Sequence, residues 1–260
     1  MTNERIAFYG SFYEDSYTAV GAFRKSDAGK EIQDALTLMG AEPGTRVLDW
    51  CGGWGRHAIP AAKLGYQMTV LDFSERYIER MKRDAAVAEV ELDGIVSDFR
   101  ETPSSIQADF AVNLFTAGIG HGSMDDLSGT KQKDLVALAS LYGALKPGAS
   151  FMIETMALSW LMRNFTESSW RESEDGTKRL LEKREFDFTT NSTISTWIFQ
   201  DKVTGTEESH TFPLHVYSPA ELIELLGSAG FEDFKLYSTF DGKPFTRESK
   251  RIALVSRKPQ

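Results

Sequence analysis

The stretch Val47-Leu48-Asp49-Trp50-Cys51-Gly52-Gly53-Trp54-Gly55-Arg56-His57-Ala58 decides the fold. A short apolar run enters a cluster of glycines, and a helical pattern follows from about Arg56 to Leu64, closed by Gly65. Glycines let the chain turn tightly and let a ligand approach bare backbone. The first amides of the following helix point at negative or polar ligand atoms. Open α/β sheets bind ligands at such turns, beyond the carboxyl ends of their strands.

Upstream, a helical segment at Ala28–Met39 stops at Gly40, and Glu42-Pro43-Gly44 makes a turn. Downstream, Met68–Asp72 reads as a second strand, and Ser74 caps a helix whose buried stripe is Ile78, Met81 and Ala85. A third strand ends at Asp98 and a fourth covers Phe110–Phe115. A helix carries Leu135, Leu138, Leu141 and Leu145 up to Lys146-Pro147-Gly148, and Phe151–Glu154 is a fifth strand. Strands separated by helices predict a parallel sheet with right-handed crossovers, and so an α/β fold. Between 157 and 217 the period changes to two, in Phe186 and Phe188, Ile194–Phe199, and Phe212, Leu214 and Val216, with turns at Thr190-Asn191-Ser192 and Thr204-Gly205. That alternation predicts a small antiparallel β insertion after strand five. Ser218-Pro219 starts a helix with Leu222, Leu225 and Leu226 inward. Phe234–Tyr237 and Ile252–Val255 have no helix between them, so they pair antiparallel.

Carboxylates end successive strands at Asp49, Asp72 and Asp98. Asp72 can accept both hydroxyl protons of a ribose. Asp98 can accept from an adenine amino group, with Phe99 against the ring. Gly53-x-Gly55-x-x-Ala58 also fits a dinucleotide fingerprint, which keeps a nicotinamide-dependent oxidoreductase among the readings. In that fingerprint the strand runs straight into its first glycine, whereas Asp49-Trp50-Cys51 intervene here. An acidic side chain before the glycines faces a pyrophosphate unfavourably and suits the ammonium of an amino-acid cofactor.

At these residues the sequence resembles class I S-adenosylmethionine-dependent methyltransferases, over about Thr45 to Glu154 and more loosely Ser218 to Lys258. It also resembles a narrower group, the small-molecule N-methyltransferases of antibiotic biosynthesis, such as those of the lincosamides. The stretches that carry this are Asp49…Gly53-Trp54-Gly55-Arg56-His57-Ala58, Asn113-Leu114-Phe115-Thr116, Leu161-x-Arg163-Asn164-Phe165 and Phe240-Asp241-Gly242-Lys243-Pro244-Phe245-Thr246. The resemblance implies a Rossmann-like sheet of seven strands with the last pair antiparallel. It implies S-adenosylmethionine as cofactor, with Asp49, Gly53 and Gly55 at its methionine part, Asp72 at the ribose and Phe73 beside the adenine. Asp98 and Phe99 would fix the adenine edge, and Asn113 and Leu114 would close the amino-acid end. In one departure, Cys51 stands where the family turn has its first glycine, flanked by Trp50 and an extra Gly52.

Methyl transfer is an in-line displacement on a sulfonium, accelerated largely by holding donor and acceptor in line. Strong catalytic groups are therefore not required. Tyr9, Tyr13 and Tyr17 fall on one helical stripe of an aromatic N-terminal segment, residues 1–27. That segment reads as a lid, with Tyr9 and Tyr17 orienting the acceptor and Tyr13 lining its pocket, or as a helix packing its aromatics on the domain. Phe115 and Glu154 are candidate walls of the acceptor pocket. His121 is a candidate general base, which would favour a hydroxyl acceptor; an amine needs less help. His57 reads as structural, Arg56 as a carboxylate contact or a local cap, and Arg24 and Lys25 as a solvated face.

The chain's 260 residues suit one methyltransferase domain with the insertion at 157–217. A net charge of -9 and no unmixed basic stretch argue against nucleic acid. One cysteine, no signal-peptide pattern and no stretch of membrane-span length lead to an expected cytoplasmic protein without a membrane partner. Four scattered histidines argue against a metal site. The expected partner is a small-molecule acceptor, and the insertion's strand edges suggest a homo-oligomer. A non-catalytic cofactor-binding module remains a further reading, because function lives in the site and not in the fold.

Overall fold

The computed structural model describes residues 27–260. Tyr9, Tyr13, Tyr17, Arg24 and Lys25 lie outside the described residues. Asp27 accepts a hydrogen bond from the Lys30 amide at 3.0 Å and caps α1 (Ala28–Met39), which ends at left-handed Gly40. The helix buries Ile32, Ala35 and Leu36, a stripe at i, i+3 and i+4.

A seven-stranded sheet follows, in the order β10-β11-β5-β4-β1-β2-β3. Its parallel members are β1 (Arg46–Trp50), β2 (Gln67–Asp72), β3 (Asp93–Val96), β4 (Ala108–Asn113) and β5 (Leu145–Met156). The strand β11 (Arg251–Arg257) runs antiparallel between β5 and β10 (Glu232–Tyr237). The order reverses between β1 and β4, which makes the crevice at their carboxyl ends the switch point of the sheet.

Side chains alternate to two faces. Val47, Met68, Val70, Val112 and Met152 pack in one core with α1, α2 (Ala58–Lys63) and α3 (Glu75–Val87). Leu48, Trp50, Leu71, Ala111, Phe151, Ile153 and Leu254 form the other, with α4 (Thr130–Ala144) and α6 (Pro219–Ser228). Each fully buried side chain of this size contributes about 1.5–3 kcal/mol. Ser74 caps α3 and Ser218 caps α6, the latter as a reciprocal capping box with Glu221. Among the described residues no helix is long and apolar enough to cross a membrane.

The chain divides into two compact units. The larger comprises Asp27–Gly120, Lys131–Arg163 and Tyr217–Gln260, and carries the sheet just described. The smaller contains His121–Thr130 and Asn164–Val216 among its described residues. It is an antiparallel sheet of four strands, β6 (Ser168–Glu172), β7 (Lys178–Asp187), β8 (Ser192–Asp201) and β9 (Thr206–His215), paired in sequence order. Glu182, buried on this sheet, accepts from Arg171, Arg184 and Ser169. The left-handed Gly176, Asn191 and Gly205 lie in its three hairpin turns.

Five boundaries depart from the sequence reading. The third strand ends at Val96, and Asp98 instead caps a short 3-10 turn at Phe99–Glu101. The fourth ends at Asn113, because Phe115 and Thr116 turn into the left-handed region. The helix expected from about Arg56 begins at Ala58. Leu145 opens β5 rather than closing α4, pairing with Ala108 before the register shifts. Its apolar side chain is buried in the strand, as a helix would also have required. The segment 157–217 opens with a helix, α5 (Leu158–Arg163), whose first turn uses the Ala157 carbonyl as acceptor for the Trp160 and Leu161 amides.

Candidate active site

The turn after β1 is held by backbone. The Cys51 and Gly52 amides both donate to the Leu71 carbonyl, at 2.8 and 3.2 Å, and Cys51, Gly53 and Gly55 take φ of 64°, 58° and 77°. Two of its glycines are required by space. A Cβ on Gly52 would stand 2.5 Å from the Asp49 Cγ, and one on Gly55 would stand 2.6 Å from the Met81 Cγ. The extra Gly52 therefore gives the Asp49 carboxylate its room. Cys51 is sheltered beneath the turn, and burial pushes its thiol well above the ordinary value. Such a thiol is a poor nucleophile.

Asp49 is buried at the end of β1, and its Oδ2 has no hydrogen-bond partner among the described residues. Asp72, at the end of β2, accepts from the Gly53 amide at 3.0 Å and the Ser74 amide at 2.9 Å. Burial, and then the charge of Asp72, push the Asp49 carboxyl up to about 7. Burial raises Asp72 to about 6 against those amide hydrogen bonds. Asn113, ending β4, donates through Nδ2 to the Trp50 carbonyl at 2.8 Å, and its Oδ1 also lacks a partner among the described residues. Buried polar atoms without partners are costly, and such clusters mark places where a ligand completes the hydrogen bonding.

Residues 47–148 match a protein-family model described as a methyltransferase domain. The chain is thus an enzyme of methyl transfer, with S-adenosylmethionine as its cofactor. Several solved structures share the fold. The CcbJ methyltransferase from Streptomyces caelestis superposes with a TM-score of 0.77 at 19% identity, over 97% of this chain and 98% of that one. The S-adenosylmethionine-bound CalS10, an amino pentose methyltransferase from Micromonospora echinaspora, gives 0.65 at 19%, over 93% and 96%. The sugar N-methyltransferase KedS8 from a Streptoalloteichus species gives 0.68 at 13%, over 96% and 94%. No curated protein matches the chain. None of these matches is to a nicotinamide-dependent enzyme.

At the carboxyl end of its sheet, the methyltransferase domain brings together Asp49, Gly53, Gly55, Asp72, Asn113 and Leu114, on or just after β1, β2 and β4. Phe73 directly follows Asp72. Asp98 and Phe99 follow β3 by two and three residues. The Asp98 carboxylate is not bare, because Arg100 donates to it from its amide and its guanidinium. Burial works to raise the Asp98 carboxyl, and these bonds outweigh it and hold the carboxyl below the usual range. Phe99 lies edge-on to the buried Trp50, centroids 5.4 Å apart, and the Trp50 indole donates to the Thr102 hydroxyl at 2.9 Å. Trp50 thus pins the segment after β3 from beneath the sheet.

Phe115 stacks on His57, with centroids 5.4 Å apart and planes 17° apart, and the Arg56 guanidinium lies 4.9 Å above its ring. Arg56 and His57 both meet Glu31 of α1, at 2.9 and 3.1 Å. Burial lowers the His57 imidazole below its ordinary value. Glu154, expected to line the acceptor pocket, is 2% exposed, and Arg251 and the Phe115 amide occupy its oxygens. His121 belongs to the smaller unit, where it bridges to Leu214 and its ring stacks on Phe212 at 6.4 Å.

Sequence reasoning passes over Glu31, Thr102 and Arg251, and treats Trp50 only as an irregularity of the turn. Trp50 had a local signal, a large ring closing a short strand just before the glycines. The other three act through partners 25 or more residues away, and no local pattern announces them.

Proposed function

We propose that this enzyme transfers a methyl group from S-adenosylmethionine to the nitrogen of an amine on a small molecule, by in-line displacement. The observation that carries the residue assignment is the buried Asp49 Oδ2, without a partner among the described residues, beside a second carboxylate at the glycine-rich turn. An ammonium group satisfies that oxygen and relieves the repulsion between Asp49 and Asp72. A ribose fits Asp72, whose two oxygens are aligned by the Gly53 and Ser74 amides. The backbone of Gly53, Gly55 and Leu114, with the Asn113 Oδ1, surrounds the amino-acid end. Phe73 and Phe99 supply apolar faces for an adenine, and Asp98 shares its carboxylate between that edge and Arg100.

When bound, the cofactor supplies an electrophilic methyl group on a sulfonium. The residues of the chain then bind, orient and exclude water. Phe115, fixed by His57 and Arg56, walls the acceptor side. Tyr9, Tyr13 and Tyr17 are proposed to close over the acceptor. A neutral amine needs no strong base, and none of the side chains assigned here is one. The amine assignment is supported by the resemblance to N-methyltransferases of antibiotic biosynthesis and by the fold shared with CalS10, an amino pentose methyltransferase, and KedS8, a sugar N-methyltransferase. The exposed Trp170 on edge strand β6 favours a homo-oligomer formed through the smaller sheet.

Two measurements test the proposal. Calorimetry with S-adenosylhomocysteine is expected to show binding that Asp72→Ala weakens by about 1.5–3 kcal/mol, the value of hydrogen bonds to a charged group. Unchanged affinity in the folded variant would remove the ribose assignment. Transfer of labelled methyl to a panel of small amines and amino sugars, with matched alcohols beside them, should favour the amines. Turnover confined to the alcohols overturns the choice of acceptor.

A further inference from the structure

Phe115 and Thr116 are consecutive, both carry side chains, and both are left-handed, with φ of 60° and 62°. Such a pair persists only when its surroundings over-determine it. The Phe115 amide donates to Glu154 Oε2 at 2.8 Å and the Thr116 amide to the Glu154 carbonyl at 3.1 Å. Arg251 Nη2 reaches both Glu154 Oε2, at 2.8 Å, and the Thr116 hydroxyl, at 3.1 Å, while its Nε donates to Glu154 Oε1. Its guanidinium carbon also lies 5.3 Å from the Phe115 ring centroid. The fork of one arginine thus fixes the acceptor carboxylate, the hydroxyl and the ring of the same strained turn. Only a planar, multiply donating cation does this.

The turn in turn touches the end of the glycine-rich loop, through the stacking of Phe115 on His57 and the Arg56 guanidinium 4.9 Å from the Phe115 ring centroid. We propose that Arg251, on a strand separated from β1 by β5 and β4, is a positioning residue for methyl transfer, holding the Phe115–Thr116 turn that seats the end of the glycine-rich loop. This rests on the assignment of that loop to S-adenosylmethionine. Arg251 acts through Glu154, Thr116 and Phe115.

The test uses S-adenosylhomocysteine affinity by calorimetry, beside the melting temperature of the ligand-free protein. Arg251→Ala is expected to weaken affinity by about tenfold, a change of about 1.4 kcal/mol. Adding Thr116→Gly should recover about threefold or more of that loss, because glycine takes the left-handed conformation freely. A purely structural ion pair would not be rescued by a glycine elsewhere. Folded Arg251→Ala with wild-type affinity, or a double variant no better than the single, overturns the proposal. If Arg251→Ala does not fold, Arg251→Lys carries the same comparison, since a point charge cannot reproduce the fork. Affinity lowered and then rescued by Thr116→Gly supports the proposal, and unchanged affinity overturns it. Wild-type protein that fails to bind S-adenosylhomocysteine would instead defeat the cofactor assignment itself.

Discussion

The Asp72 carboxylate adds to burial in raising its neighbour Asp49 to about 7, so two acids at the ends of adjacent parallel strands oppose each other's ionisation in the ligand-free protein. Asp49 is raised in the folded state above its unfolded value of 3.8. Between those values the native protein holds the extra proton, so this group costs stability as pH rises through that window. The cost is absent below the unfolded value and complete above about 7. Asp49→Asn should therefore raise the melting temperature of the ligand-free protein at pH 8, by roughly 2–8 °C for about 1–2 kcal/mol. It should have little effect near pH 4, and should weaken S-adenosylhomocysteine binding at pH 8. Thermal melts at the two pH values check the sign; destabilisation at pH 8 would show that Asp49 already has a partner.

The same pair links binding to protons. A cationic ammonium favours the ionised acid, so ligand binding near pH 6.5 should release a fraction of a proton, and affinity should rise with pH through about 7. Calorimetry in buffers of different ionisation enthalpy measures that release directly. Net proton uptake would contradict the placement of the ammonium at Asp49.

Gly52→Ala tests the crowding of the loop. The added Cβ meets the Asp49 carboxylate, not a flexible chain end, so either the acid or the turn must move. Overpacking of this kind costs about 1–3 kcal/mol, and the loss should fall more on S-adenosylhomocysteine affinity than on chemical denaturation. Equal affinity in the variant would mean that Asp49 relocates without consequence.

Trp50→Phe removes the indole donor to Thr102 and reduces the contact with Phe99. A loss of about 1–3 kcal/mol in urea unfolding is expected, from the hydrogen bond and the reduced volume. Weaker ligand binding should accompany it, because Phe99 is proposed to face the adenine. Binding unchanged despite lowered stability would separate Phe99 from the cofactor.

His121→Gln bears on the acceptor atom. With an amine acceptor, turnover should stay within about threefold of wild type, because loss of a general base typically costs 10²–10⁴-fold, roughly. A drop of that larger size would transfer the role of base to His121 and favour a hydroxyl acceptor.

The elements that could be read from sequence are those whose cause is local. Ser74 and Ser218 announce their helices because a cap and an apolar stripe lie within one turn of each other. Asp49 and Asp72 were legible because strand, acid and glycine adjoin. Asp98 was legible as a residue but not as a partner of Arg100, since a charge two positions away can equally face solvent. Glu154 was read as a pocket wall because its cation lies 97 residues further along the chain. The start of β5 at Leu145 was hidden for a different reason: a buried leucine satisfies a helix and a strand equally well. Tyr9, Tyr13 and Tyr17 lie outside the described residues.

The reversed direction of β11 has a consequence for how this enzyme can change. Its neighbours finish at the rim that carries the glycine-rich turn, whereas β11 begins there, so the residue delivered to that rim is the one emerging from the segment 238–250. Lengthening or shortening that segment shifts no parallel strand and disturbs no crossover. It would nonetheless retune the arginine's approach, offering a route by which turnover diverges between related sequences while their central sheets stay superimposable.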